Sequence, residues 1–138
     1  MNTYLDTLDE NGNALMIYRN GVLIFGSSAK GIRPHLEAIE RFGQEGLRGT
    51  LMVDKIVGRA AALLMLYSLP SDVYAGVITH AAKSLLEESG VRVHPRVIVD
   101  AVKQKDGRIY CPFESMVQGI SNAEEAYEAI VMKMMSMK

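Results

Sequence analysis

Asp54 and Lys55 stand side by side ahead of a run of small and apolar residues, Ile56 to Leu64, and nowhere else do residue types and spacing come closer to specifying chemistry. The recurrence of Ile56, Val57, Ala60, Ala61, Leu63 and Leu64 predicts a helix that begins at Asp54, with the carboxylate as its cap. A helix start offers unpaired N–H groups and partial positive charge, so an anionic ligand would be held there with Lys55 beside it. The plainer reading is a cap next to a solvated lysine. Arg59, further along, meets either a phosphate or an acidic neighbour on the surface.

A second candidate is Cys111-Pro112-Phe113-Glu114, where proline suits a first helical position and the glutamate resembles a capping residue. A thiol at a helix start is activated as a nucleophile, and Glu114 would serve as a base beside it. The same four residues equally describe a small buried side chain and an ordinary cap. Asp54, Cys111 and Glu114 together would make an uncommon zinc set of carboxylates and one thiolate, and zinc is not expected. Ser27, Ser28 and Lys30 lie in a polar stretch that either closes over a ligand or merely connects. His80 and His94 have no metal-ligand spacing between them, and His35 reads as a solvated helix residue. The spacing of Gly43, Gly46 and Gly49 does not match a phosphate loop.

These residues need elements to position them. Ala14 to Tyr18 and Val22 to Phe25 are apolar runs around Asn20-Gly21, the signature of a two-residue hairpin turn. Pro34 opens a helix over His35 to Phe42, and the glycines from Gly43 to Gly49 break it. Leu51 to Val53 is a brief extended segment. Val73 to Ile78 fits a buried central strand, followed by a helix from Ala81 to Glu88 that Gly90 stops. A further strand begins near Val91, with Pro95 limiting it, while Arg96 to Lys105 is open between strand and helix. Ser121-Asn122-Ala123-Glu124 begins a last helix that ends among closely spaced methionines, residues suited to adaptable packing or an oligomer contact.

Composition bounds the possibilities. A chain of 138 residues with 49% hydrophobic and 22% charged residues suits a single domain spanning 1–138. Its 15 basic and 16 acidic residues are intermixed at a net charge of -1, which argues against binding duplex nucleic acid. Cys111 is the single cysteine, so no intrachain disulfide can form. The N-terminus does not resemble a signal peptide, and the apolar run from Ala60 to Leu66 is too short to span a bilayer. A cytoplasmic protein without a membrane segment is expected.

The order of a small-residue helix, the strand at Val73 to Ile78 and a second helix ending in Gly90-Val91 resembles the core of the cytidine-deaminase-like superfamily. Its zinc enzymes place a His-x-Glu or Cys-x-Glu at one helix start and Pro-Cys-x-x-Cys at the next. Counted against that pattern, Asp54 takes the first ligand position and Ile56 the glutamate position, while Ile78, Thr79 and Ala82 fall at the proline and the two cysteines. Isoleucine cannot carry a proton. Asp54-Lys55-x-x-Gly58-Arg59-Ala-Ala-Ala with Cys111-Pro-x-Glu114 is similar to a family of small prokaryotic proteins assigned to this fold without an established activity.

The resemblance implies a three-layer α/β/α sandwich around a mixed sheet of four or five strands. It places Thr79 and His80 at the mouth of an inherited pocket with Asp54, Lys55, Arg59, Ser27 and Ser28. The expected function is binding of a nucleoside or nucleotide without zinc-dependent deamination, in a homo-oligomer. One alternative is an enzyme of altered chemistry with Cys111 or Asp54 as nucleophile and Glu114 or Lys55 moving protons. The other is an oligomeric scaffold whose pocket is vestigial.

Overall fold

The computed structural model describes residues 3–102, 113 and 116–136. In chain order the elements are α1 (Thr3–Glu10), β1 (Leu15–Arg19), β2 (Val22–Ser27), α2 (Arg33–Leu47), β3 (Leu51–Val57), α3 (Arg59–Ser68), β4 (Asp72–Thr79), α4 (His80–Glu88), β5 (Arg92–Val99) and α5 (Ala123–Ser136). The hairpin forms where the sequence places it: Asn20 and Gly21 take φ of 51° and 80°, the paired positive angles that a two-residue turn requires. The five strands lie in the order β2-β1-β3-β4-β5. β1 pairs antiparallel with β2 and β3, whereas β3, β4 and β5 run parallel. Parallel neighbours need crossover connections, which α3 and α4 supply.

Strand alternation sorts the apolar residues onto two faces. Leu15, Ile17, Met52, Val73 and Ala75 join one large core with buried residues of α2, α3, α4 and α5. Their neighbours Met16 and Val53 join a smaller cluster with Leu5 and Leu8 of α1, against which Tyr18 and Tyr74 pack. Helices therefore cover both faces of the sheet. Pro95 lies within β5, which pairs with β4 at one end of the strand order, where its missing N–H is tolerated.

The helix expected from Asp54 begins later. Leu51 to Val57 is a strand held between β1 and β4, and the helix starts at Arg59 after Gly58 in extended backbone. Ile56 and Val57 fit helical spacing, but as β-branched residues paired with Val77 and Ile78 of β4 they are better served in the sheet. α2 also runs further than expected, continuing to Leu47 across a non-helical break at Gly43.

Two constraints hold the β3–β4–β5 region. A Cβ built on Gly76 would lie 2.6 Å from the Lys55 carbonyl oxygen, so only glycine lets these strands approach so closely. At the start of β4, Asp72 accepts hydrogen bonds from Arg92 at 3.0 and 2.7 Å, pairs with His94 at 2.9 Å and accepts from Ser71 at 2.9 Å. The Arg92 hydrogen bonds hold the Asp72 carboxyl well below its ordinary value of 3.8, against burial that pushes it up, and His94 and Ser71 add to the lowering. His94 stacks on Tyr74 with ring centroids 4.3 Å apart.

Gly76→Ala is expected to cost about 2 kcal/mol, because backbone rather than a flexible side chain must move, and the urea midpoint should fall at unchanged slope. Asp72 should matter in a defined pH window. A carboxyl with a depressed folded-state pKa contributes stability above its unfolded value and loses it as pH falls toward the depressed one. The stability difference between wild type and Asp72→Asn should thus be full above about pH 5 and narrow steadily below about pH 4.

Candidate functional site

β3 carries Asp54 inward on the same alternation as Met52, and the side chain is only 6% exposed. A carboxylate so placed needs a partner, since burying an unpaired charge is strongly unfavourable. The partner is His35, 3% exposed, whose Nε2 lies 2.6 Å from Asp54 Oδ2. The Ile56 N–H donates to Asp54 Oδ1 at 3.3 Å. His35 comes from the first turn of α2, just after Pro34, and shares a buried helix face with Ala38 and Ile39. The expectation of a solvated His35 is corrected. Its spacing of three and four residues to Ala38 and Ile39 was the signal, because it puts the imidazole on the core side of the helix.

Beside this pair lies a cavity of about 320 Å³. Three segments wall it: Gly12 to Ala14 between α1 and β1, Ser28 to Ile32 between β2 and α2, and Asp54 to Ile56 of β3. Gly58 and Ala61 at the start of α3 and Val102 complete the lining. Lys30 and Lys55 are exposed, while Asp54 is buried. The lining thus combines a buried carboxylate with two exposed lysines, so it can offer an acceptor to a hydrogen-bond donor and cations to an anion.

The structure divides the residues singled out by sequence. Ser28, Asp54 and Lys55 line this cavity. Ser27 does not; its hydroxyl donates to Glu37 Oε1 at 2.9 Å and accepts from the Ala29 N–H at 3.2 Å. Thr79 caps α4, accepting from the Ala82 N–H at 3.1 Å, and is itself buried. His80 is exposed, 3.6 Å from Asp100 Oδ1, and neither it nor Thr79 is among the lining residues. Arg59 donates to the carbonyls of Val117 and Ile120 at 3.0 and 2.7 Å, fastening that segment to α3. Cys111 and Glu114 lie outside the described residues. Among the described residues, no three His, Cys, Asp or Glu side chains are grouped to hold a metal ion. His35 and Asp54 are two donors of suitable type, engaged with each other.

The family model for DUF1893, a domain of unknown function also designated TM1506, matches residues 4–134. The chain belongs to the DUF1893 family. The crystal structure of a DUF1893 family protein, TM1506 from Thermotoga maritima, is similar to it at 31% identity and a TM-score of 0.83. That similarity covers 96% of this chain and 92% of the other. No curated protein matches the chain. DUF1893 membership accordingly carries a fold and no assigned activity. Among the described residues of this DUF1893 chain, no helix is long and apolar enough to cross a membrane.

The His35–Asp54 pair generates a prediction. His35→Leu leaves the carboxylate buried without its imidazole and should cost about 3 kcal/mol or more, as should Asp54→Leu. The double variant removes both polar groups, so its loss should fall short of the sum by about 2 kcal/mol in a denaturation double-mutant cycle. Additive losses would show that the pair is not coupled.

Proposed function

We propose that this chain is a three-layer, deaminase-like α/β/α domain that binds a nucleotide in the cavity beside Asp54, without the zinc chemistry of deaminases. The strand order β2-β1-β3-β4-β5 with a hairpin at one end supports the fold part of the reading. The observation that carries the ligand part is the composition of the cavity lining: Asp54 is buried, and Lys30 and Lys55 are exposed. An amino-substituted base can donate to the carboxylate while the phosphate remains near the lysines. The volume of about 320 Å³ suits a ligand of that size. The displacement of the helix start from Asp54 to Arg59 adds a reason why zinc is not expected: the position counted against the first zinc ligand lies in a strand.

A second reading, an enzyme of altered chemistry, draws on the 2.6 Å contact between Asp54 and His35, since a paired carboxylate and imidazole can hold or move a proton. Mass spectrometry after incubation with nucleotides separates the two. An unchanged protein mass accords with binding, and a covalent adduct on Asp54 or Cys111 accords with nucleophilic chemistry.

Calorimetry with AMP and CMP, set against adenosine and cytidine, tests the leading proposal. The nucleotides should bind at least about fivefold more tightly, and Lys55→Ala should erase most of that margin while leaving nucleoside affinity unchanged. Equal affinity for nucleotides and nucleosides, or no binding of either, would overturn it.

A further inference from the structure

We propose that the channel between α2 and α5 is a docking groove for an amphipathic helix of a partner protein that carries lysines or arginines along one side. The channel has a volume of about 610 Å³. Leu36 of α2 and Val131, Met134 and Met135 of α5 give it an apolar lining. Its α2 wall bears Arg33, Glu37 and Glu40, all exposed. α5 itself is firmly seated: Ala126 and Ile130 are fully buried, and Tyr127 stacks on Tyr67 of α3 at 4.3 Å. The exposed methionines are therefore features of a fixed platform.

Met132 is 71% and Met135 67% exposed, three residues apart on one side of α5. Glu128 and Glu125 are exposed one and two turns before Met132. The groove lining thus combines flexible apolar side chains with two carboxylates, Glu37 and Glu40, and one guanidinium, while Met132, Glu124, Glu125, Glu128 and Lys133 are exposed on α5 outside the lining. An amphipathic helix can lay its apolar face on methionines, which adapt to varied shapes, and set cationic side chains against the flanking glutamates. Charge complementarity selects this occupant over a second copy of the chain. A copy presenting its own α5 would bring Glu125 and Glu128 toward Glu37 and Glu40, and like charges brought together oppose association.

The test uses the full chain and a fluorescent leucine–lysine peptide of about five helical turns, patterned at helical spacing, with a scrambled isomer of the same composition. The patterned peptide should bind at least about tenfold more tightly than the isomer by fluorescence anisotropy. Replacing both exposed methionines, Met132→Ser with Met135→Ser, should weaken it about tenfold, and Glu40→Lys should weaken it and reduce its salt dependence. These side chains are largely exposed, so the variants should keep the wild-type melting temperature, which is checked first. Equal binding of the isomer, or unchanged binding by the methionine variant, overturns the proposal. So does a wild-type dimer in light scattering that the same two substitutions convert to monomer, since the face would then cover a second copy.

Discussion

A carboxylate placed in the core of a sheet must be satisfied from within the protein, and the Asp54–His35 contact meets that requirement. It joins β3 to the first turn of α2 across 19 positions of sequence. Because α2 is anchored there, the stretch from Ser28 to Ile32 that leads into it walls one cavity together with Asp54 to Ile56 of β3. The polarity of the site follows from the same contact. Asp54 is held inside by its imidazole partner, while its chain neighbour Lys55 alternates outward into solvent.

Several residues singled out by their types have structural duties instead. Thr79 spends its hydroxyl on the N-terminus of α4, and Arg59 spends its guanidinium on two carbonyls. Both are ordinary solutions to the unpaired backbone groups of helix ends and turns. Thr79 resembled a site residue because it falls at a cysteine position of the deaminase pattern, and Arg59 because it follows Asp54 and Lys55. Ser28, by contrast, meets Asp54 and Lys55 of β3 in one cavity, brought there by the segment between β2 and α2. The DUF1893 family to which the chain belongs is of unknown function, so the reading of the site rests on this convergence.

Much of the architecture was legible from local chemistry. Asn20-Gly21 specified the hairpin turn, Val73 to Ile78 the central strand, and Asn122 the start of the last helix, where its side chain accepts from the Glu125 N–H at 2.9 Å. The start of α3 was not legible, since Ile56 and Val57 satisfy both periods and only pairing with β4 decides between them. α1 gave little signal; its buried Leu5 and Leu8 gain meaning only against Met16 and Val53. The same holds for His35, whose partner is distant in sequence. Local patterns disclosed the elements, and long-range contacts settled which residues form the site.

The most direct measurement is an AMP titration of isotope-labelled protein followed by NMR. The account predicts shift changes concentrated in the amides of Lys30, Gly31, Asp54, Lys55 and Gly58 and in the ring of His35. Changes centred instead on Thr79, His80 and the first turn of α4, with the surroundings of Asp54 unmoved, would contradict it.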